Sequence, residues 1–281
     1  MNLNEWTTLR KTLLPYAYNI LGSIDDSQDV LQNVLIKAQG RTDILNERAY
    51  LIKAVINESI TFKKRRDKSI DQKVWLPQPF VTNDGEVNVE TKEILHYSML
   101  VLMESLTIKE RAVFLLKEAF SYTHEEIGDV LYISAENSRQ LLARAKKKLK
   151  ARKPDAVKPA SQNLTQLEQY IVTIREGDIK TLETMLAEEV QVLADGGSNL
   201  NVVAELTSGI SATIDLVMYV YHHYQKKFDI VTAEVNHQPA LFFYKDKKLV
   251  NCQVFEIDSN NKIKSIFSVI DPLKLADLPN T

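Results

Sequence analysis

Apolar residues recur at helical spacing through the first half of the chain. Between Leu9 and Leu21 they mark one amphipathic helix. The same spacing predicts helices over Asp25–Ala38 and about Asn46–Arg66. Further helices are predicted at about 91–105 and, after a capping box, at 107–119. This half is therefore predicted to be all-α.

The segment from Ser121 to Lys150 has the pattern of two short helices joined by a tight turn. Thr123 and Glu126 form a capping box that begins the first helix, and Ser134 is suited to cap the second. One face of the second helix is apolar and the other is cationic. This layout predicts a helix-turn-helix that places its second helix in the major groove of DNA. A surface hairpin with a solvated charged face is the alternative that the pattern leaves open.

Beyond residue 163 the pattern changes from helices alone to helices followed by strands. Helices are predicted at 164–176, 179–186 and 210–224. Alternating apolar positions predict strands at 189–193, 230–235, 240–244, 249–257 and 263–270. This order favours an α+β domain in which a curved sheet folds over helices.

Two proline-containing linkers divide the chain, and its charge differs on either side of the second. Pro77 and Pro79 exclude a helix from the first linker, residues 68–91. The second linker spans 154–163. Residues 1–153 hold 24 Lys and Arg against 20 Asp and Glu, whereas residues 154–281 hold 11 against 17. The first part can therefore meet a polyanion that the second would repel.

Length and composition limit the class of protein. A chain of 281 residues is long enough for about two domains. No apolar run approaches the roughly 18 residues that span a bilayer, so no membrane partner is expected. Cys252 is the single cysteine, which excludes a disulfide framework and a cysteine-based zinc site. The sequence predicts a cytoplasmic protein with no metal site and no cofactor.

Residues 17–23, AYNILGS, and 26–32, DSQDVLQ, open a stretch that resembles the extracytoplasmic-function sigma factors, bacterial subunits that direct RNA polymerase to promoters. The resemblance covers about Leu9 to Arg152. It implies that Asp29 and Gln32 face the core polymerase, because they match an acidic residue and a glutamine of the family's domain 2.

The same resemblance implies two groups of DNA contacts. The loop Gly40–Asn46 would hold an unstacked base of the −10 element. The basic run that ends the third helix would sit on phosphates, although favourable charge at a helix C-terminus explains it equally well. The −10 candidates are Asn46, Arg48, Asn57, Lys63, Lys64, Arg65 and Arg66. The −35 candidates, on the helix-turn-helix of domain 4, are Ser134, Glu136, Arg139, Gln140, Arg144 and Lys147.

Three further motifs resemble those of a subgroup whose members carry a C-terminal SnoaL-like, NTF2-like extension. WLPQP at 75–79 is similar to the linker signature WLPEP, Asp195-Gly196-Gly197 to DGGGK, and residues 271–275, DPLKL, to NPDKL. In that subgroup the extension regulates the sigma domains directly. The resemblance therefore implies an intramolecular regulatory interface made of Trp75, Leu76, Pro77, Asp195, Gly196 and Gly197.

The expected fold is multidomain, with two all-α helical bundles followed by an α+β SnoaL/NTF2-like cone with a curved antiparallel sheet. Sigma domain 2 is assigned to 1–67, the linker to 68–91 and sigma domain 4 to 92–153. A second linker, 154–163, leads to the SnoaL-like regulatory domain at 164–281. The expected partners are core RNA polymerase, promoter DNA and a small molecule in the C-terminal pocket.

Two other functions stay open at the level of sequence. One is a ligand-responsive helix-turn-helix regulator that does not engage polymerase. The other is a SnoaL-like enzyme tethered to DNA, which would need converging acid and base groups. His222 and His223 are adjacent on a predicted helix, so their side chains diverge by about 100° and make no ready metal pair. No His and carboxylate cluster has the spacing of metal ligands, and no catalytic residue is assigned. The acid and base candidates weighed are Asp195, Asp215, His222, His223, Glu234 and His237.

Overall fold

The computed structural model of the protein describes residues 3–39, 45–67, 74–82, 93–150, 160–197 and 206–279. Its contacts divide the chain into two units. The helical unit consists of residues 1–71, 85–95 and 99–153. The sheet unit consists of residues 72–84, 96–98 and 154–281. The WLPQP segment thus belongs to the sheet unit, although it lies in the helical half of the sequence.

The described part of the helical half confirms the predicted all-α pattern. A π-helical turn, Leu115–Ala119, extends the fifth helix. None of the helices described in this structure is long and apolar enough to cross a bilayer. The helices are α1 (Leu3–Leu21), α2 (Ile24–Ala38), α3 (Glu47–Arg66), α4 (Tyr97–Met103), α5 (Ile108–Phe114), α6 (His124–Leu131) and α7 (Ala135–Lys150).

Helix α4 is shorter than the predicted helix at 91–105 because a tertiary contact holds the preceding residues in another conformation. The Asn19 side chain accepts a hydrogen bond from Leu95 N at 3.1 Å and donates one to Glu93 O at 2.7 Å. A buried amide that bonds both ways to the backbone replaces the bonds that a helix would make.

A buried charge network joins the helices of this unit. Arg111 on α5 is fully buried, and its Nε donates to Asn19 O on α1 at 3.0 Å. Its guanidinium pairs with Glu104. Lys63 Nζ on α3 lies 2.9 Å from the other oxygen of Glu104. Because a buried charge is tolerated only when it is paired, these side chains fix the packing of α1, α3 and α5.

The helix-turn-helix forms as its capping residues predict. Both bonds of the Thr123–Glu126 capping box are present, and Ser134 Oγ accepts from Asn137 N at 3.1 Å. Tyr132 ends α6 in the left-handed region, at a φ of 55°. A Cβ on Gly128 would lie 2.7 Å from Ile133 O, so only glycine lets the turn approach α6 this closely.

The described part of the sheet unit has four helices and a six-stranded sheet, and the first three helices pack on one face of that sheet. The strands follow the order β2-β1-β6-β5-β4-β3. A π-helical turn, Tyr221–Gln225, follows the third of these helices. The helices are α8 (Ala160–Glu176), α9 (Ile179–Met185), α10 (Ile210–Val220) and α11 (Pro272–Leu275), and the strands are β1 (Leu186–Asp195), β2 (Thr207–Ser208), β3 (Asp229–Val235), β4 (Gln238–Lys245), β5 (Lys248–Ile257) and β6 (Ile263–Val269).

The α+β fold class is confirmed, but the sheet is mixed and not purely antiparallel. Strand β1 pairs with β6 in parallel, with Val192 opposite Ile266 and Asp195 opposite Val269. The strands β3 to β6 form the predicted antiparallel meander. Alternation of apolar residues reports which face is buried, not the direction of the neighbouring strand, so the sequence could not reveal the parallel pair.

The two faces of the sheet have different partners. The concave face packs on α8, α9 and α10, around a core that includes Tyr170, Phe243 and Phe255. The opposite face carries Phe267, whose ring lies 5.6 Å from that of Tyr97. Successive residues of one strand therefore contact different surroundings.

Substituting Gly128→Ala tests the close approach in the helix-turn-helix. Alanine normally stabilises a helix by about 1 kcal/mol relative to glycine, but here its methyl group meets a backbone oxygen. We therefore expect a loss of about 1–3 kcal/mol in the free energy of unfolding, measured with urea. The exposed neighbour Asp129→Ala is the control and should change that free energy by less than about 0.5 kcal/mol. A stabilised Gly128→Ala protein would contradict the geometry.

Candidate functional site

The outward face of α7 carries most of the side chains predicted to contact the −35 element. Arg139 Nη2 lies 3.0 Å from Glu125 Oε1, and Gln140 Nε2 donates to Glu136 Oε1 at 3.4 Å. Arg144 and Lys147 form no ion pair with any residue that the structure describes. The two cations are therefore open to phosphates or to base edges. The exposed members of this face are Glu136, Arg139, Gln140, Arg144 and Lys147.

Ser134 and Ser138 have structural positions in the helix-turn-helix. Ser134 caps α7, and Ser138 is fully buried on its inner face. Ser138 Oγ lies 2.8 Å from His124 Nδ1, at the start of α6. This hydrogen bond satisfies a hydroxyl that is buried on the apolar face of α7. Sequence reasoning missed His124, because spacing along one helix cannot show a contact between two helices.

The polymerase candidates lie on the exposed face of α2. Asp29 and Gln32 are both exposed, one turn apart. Ile36 continues the same face one turn later and is 60% exposed. The exposed face of α2 thus combines a carboxylate, an amide and an apolar side chain. Sequence reasoning missed Ile36, because its exposure depends on how α2 packs against the neighbouring helices.

The −10 candidates of α3 divide into exposed and engaged side chains. Arg48, Lys64 and Arg65 are exposed. Asn46 caps α3 by accepting from Ala49 N at 3.0 Å. Asn57 Nδ2 donates to Val130 O of α6 at 2.8 Å. Residues 40–44 of the loop expected to hold an unstacked base lie outside the described residues.

Lys63 and Arg66 face inward, unlike the other two cations of the basic run. Lys63 is 3% exposed and pairs with Glu104, as described above. Arg66 Nη1 lies 2.7 Å from Asp26 Oδ2, and its Nη2 donates to Leu21 O at 2.9 Å. In this conformation Lys64 and Arg65 are the members of the run that present their charge to solvent. Contact of all four with phosphate stays a prediction, and for Lys63 and Arg66 it requires these bonds to break.

Burial changes the acid–base behaviour of Lys63. Desolvation lowers the pKa of its ammonium group from 10.5 to about 8, and the nearby charge of Arg111 adds to this effect. Glu104 acts in the opposite direction but is outweighed. The pKa of Glu104 is lowered by the cations of Arg111 and Lys63, which outweigh its own desolvation.

Asp195 brings the WLPQP segment to the sheet. The side chain is 1% exposed, and its Oδ2 accepts from Leu76 N at 2.7 Å. Lys274 Nζ donates to the same oxygen and to Leu76 O, at 2.6 Å each. The Lys274 ammonium also lies 4.3 Å from the centre of the Trp75 ring, within cation–π range. One carboxylate and one ammonium thus hold both backbone groups of Leu76.

The glycines after Asp195 shape the turn that presents its carboxylate. Gly197 N donates to Asp195 Oδ1 at 2.8 Å, so the second carboxylate oxygen is also satisfied. Gly197 has a φ of 67°, and a Cβ there would lie 2.6 Å from Asp271 Cγ. Gly196 is buried. The turn therefore requires glycine at position 197 for both conformation and space.

Further hydrogen bonds, to backbone and side-chain atoms, attach the linker near the end of β3. Phe80 N donates to Asn236 Oδ1 at 2.9 Å, and Asn236 N donates to Phe80 O at 2.8 Å. Val81 pairs with Val235 as an antiparallel bridge. Tyr97 Oη donates to Pro77 O at 2.6 Å. Residues 74–82 thus lie on the sheet as an additional extended segment, and the regulatory role of this docking stays a prediction.

Comparisons with known proteins find relatives of this chain. A family model described as sigma-70, region 4 matches residues 97–149. The ECF RNA polymerase sigma factor SigJ of Mycobacterium tuberculosis (strain ATCC 25618 / H37Rv) is 24% identical over 235 residues, covering 80% of this chain and 74% of that protein. The probable ECF RNA polymerase sigma factor SigI of the same strain is 24% identical over 291 aligned positions, covering 97% and 94%.

A solved structure extends the similarity to the whole fold. The crystal structure of SigJ from M. tuberculosis matches this chain with a TM-score of 0.79 at 20% identity, and the match covers 100% of both chains. The chain is similar to extracytoplasmic-function sigma factors along its length. The predicted resemblance to this family is therefore confirmed by the relatives. The solved structure confirms the architecture of a helical region followed by an α+β domain.

The sheet unit encloses a cavity of about 460 Å³. It lies between the concave face of the sheet and helices α8 and α10. None of the acid and base candidates weighed from the sequence lines it. Asp215, His222 and His223 are exposed on or after α10. The remaining three, Asp195, Glu234 and His237, lie where the linker docks.

The buried position of Lys63 predicts a pH-dependent stability. The unfolded chain keeps the Lys63 proton up to a pKa of about 10.5, whereas the folded protein loses it near 8. The unfolded state therefore binds more protons between these values, and stability should rise with pH there. We expect wild type to gain stability relative to Lys63→Met between pH 8 and 10, measured by urea unfolding.

The exposed neighbour Lys64→Met provides the matched control for this measurement. Its stability should follow the wild-type dependence on pH, because its ammonium group keeps its contact with water. An identical pH dependence in Lys63→Met and wild type would show that Lys63 is not buried in solution.

Proposed function

We propose that this chain directs core RNA polymerase to specific promoters and initiates transcription there, and that its SnoaL-like domain tunes this activity. The observation that carries the proposal is the exposed cationic face of α7, within the segment that matches sigma-70 region 4. Two cations on this face have no partner among the described residues, as a DNA-contacting helix requires.

Binding to core polymerase is assigned to α2. Asp29, Gln32 and Ile36 form one exposed face that combines a charge, an amide and an apolar side chain. Interfaces commonly place such an apolar group at the centre and polar groups at the rim. The match of Asp29 and Gln32 to the family's polymerase-facing positions supports the same assignment.

Promoter binding is assigned to two regions of the helical half. Arg139, Arg144 and Lys147 on α7 would contact phosphates and base edges of the −35 element. Arg48, Lys64 and Arg65 around α3 would contact the −10 element. The excess of cations in residues 1–153 supports binding to a polyanion, and it makes the affinity fall with salt.

Tuning is assigned to the docking of residues 74–82 on the sheet unit. A free linker samples many conformations, whereas one held by Asp195, Lys274 and Asn236 has few. Docking therefore leaves few conformations to the connection between the helical segment that precedes the linker and the one that follows it. The SnoaL-like domain thereby controls whether both DNA-binding regions engage one promoter.

The SnoaL-like domain acts without catalysis in this proposal. The described residues that line its cavity include no carboxylate, histidine, lysine or arginine that could transfer a proton or bind a metal. The cavity is assigned to a small-molecule ligand, which its volume and apolar lining support. The protein would work in the cytoplasm, together with core polymerase.

Substituting Asp29→Ala and Gln32→Ala together tests the polymerase assignment. Loss of two interface side chains should weaken co-purification with core polymerase by at least about tenfold. Transcription in vitro from a cognate promoter should fall in parallel. The control is Glu168→Ala, an exposed carboxylate on α8, which should leave both measurements unchanged. If the double variant binds and transcribes as wild type does, α2 is not the polymerase surface.

Substituting Asp195→Asn tests tuning by the docked linker. The amide removes the counter-charge of Lys274, and its NH2 group must face either Leu76 N or Gly197 N, both of which are donors. Because such a change in a buried pair costs about 3–5 kcal/mol, residues 74–82 should undock. We expect faster hydrogen exchange at Leu76 and Phe80 and a change of at least about fivefold in transcription in vitro.

The matched control for this experiment is Asp246→Asn. Asp246 is exposed in a hairpin turn of the same unit at a φ of 51°, a conformation that asparagine also adopts. It should alter neither exchange nor transcription. Unchanged exchange in Asp195→Asn would contradict the docking, and faster exchange with wild-type transcription would contradict the tuning.

A further inference from the structure

The cavity of the sheet unit is chemically selective. Its described lining consists of apolar and uncharged polar side chains, with no Asp, Glu, Lys, Arg or His. A charged ligand would lose its hydration there without gaining a counter-charge. A volume of about 460 Å³ suits a small organic molecule. The lining therefore selects for a neutral and largely apolar ligand.

The side-chain amide of Asn251, within this lining, has a donor group that no described residue accepts from. Asn251 is 4% exposed and lines the cavity from β5. Its Oδ1 accepts from Ser268 Oγ at 3.0 Å, whereas its Nδ2 has no hydrogen-bonding partner among the described residues. This amide nitrogen is therefore available to donate a hydrogen bond to an acceptor atom of a ligand in the cavity. Gln253 and Ser268 line the cavity beside it.

Aromatic side chains lie at the opening of the cavity. Tyr219 and Tyr224 line it and are also exposed, so they connect the interior with solvent. Tyr224 belongs to the π-helical turn Tyr221–Gln225 that follows α10. Such turns interrupt regular helix bonding and occur frequently at functional sites. Tyr221, Tyr224 and Gln225 of this turn line the cavity.

The cavity wall and the linker attachment share backbone. Ala194 lines the cavity, and the next residue, Asp195, holds Leu76 on the other side of the strand. Ile270 also lines the cavity, and its N–H donates to Asp195 O at 2.8 Å. A ligand that displaces Ala194 or Ile270 therefore shifts the backbone that positions the Asp195 carboxylate.

We infer that the cavity binds a neutral, predominantly apolar small molecule with a hydrogen-bond acceptor such as a carbonyl oxygen, and that its occupancy changes the docking of residues 74–82. The Asn251 amide donates to the acceptor, and the apolar lining receives the rest of the molecule. The linker part rests on the proposed tuning function, whereas the binding site stands on the cavity itself.

Three fluorescent naphthalenes test the selectivity on the full chain. Prodan is neutral and carries a ketone, N-phenylnaphthylamine is neutral without an acceptor oxygen, and anilinonaphthalene sulfonate is its charged analogue. We expect both neutral probes to bind, with at least about tenfold preference over the sulfonate. Failure of both neutral probes to bind would overturn the site. Equal binding of the sulfonate would overturn the selectivity.

Substituting Asn251→Leu tests the polar anchor. Prodan should bind about fivefold more weakly, because its ketone loses the amide donor. N-phenylnaphthylamine should bind at least as tightly as to wild type. Gln191→Leu is the control, since Gln191 lies on β1 next to the cavity-lining Val192 and points to the other face. Equal loss of both neutral probes, or of neither, would overturn the role of Asn251.

Leu216→Trp tests the location by filling the cavity from α10. It should weaken both neutral probes while circular dichroism stays that of wild type. If this variant does not fold, the Asn251→Leu comparison decides the location alone. Unchanged binding of both neutral probes to folded Leu216→Trp would overturn the cavity as their site.

Hydrogen exchange of residues 74–82 with and without saturating Prodan tests the coupling. We expect a change in exchange at Leu76 that is absent in Asn251→Leu at a concentration where that variant is unoccupied. Unchanged exchange in the occupied wild type would overturn the coupling. None of these measurements involves polymerase, so their failure would leave the sigma assignment intact, and failed transcription would leave the binding site intact.

Discussion

The buried carboxylate of Asp195 is the interaction on which the arrangement of the sheet unit depends. It joins three segments that are far apart in sequence: the linker at Leu76, the turn at Gly197 and α11 at Lys274. A charge that is 1% exposed is tolerated only because each of its oxygens accepts a hydrogen bond and an ammonium group balances it. Docking of the linker, folding of the turn and placement of α11 are therefore interdependent.

A second buried network has the same role in the helical unit. Arg111 links α5 to the backbone of α1, and Glu104 joins its guanidinium to Lys63 of α3. Because each charge depends on the others, the network favours one packing of these helices over looser alternatives. The network also buries Lys63, the first cation of the basic run at the end of α3. The exposed cationic surface around α3 is therefore smaller than the sequence indicates.

Side chains alternate between the two faces of the sheet, so the cavity lies on one face and the attachment of the linker on the other. Residues such as Ala194 and Asn251 face the cavity, and their neighbours Asp195 and Cys252 face the other side. The cavity and the linker are thus only one residue apart along β1, although no side chain belongs to both. This is a short physical path between an internal site and the segment that tethers the helical regions.

The sequence by itself determined the helices, the capping boxes of the helix-turn-helix, the meander and the motifs of the sigma family, because periodicity, caps and motifs are local properties of the chain. It also paired the linker motif with Asp195 through resemblance. Only the tertiary structure decided the parallel pairing of β1 with β6, the burial of Lys63, the His124–Ser138 bond and the unused amide of Asn251. Each of these depends on contacts between residues distant in sequence, and local spacing carries no information about such contacts.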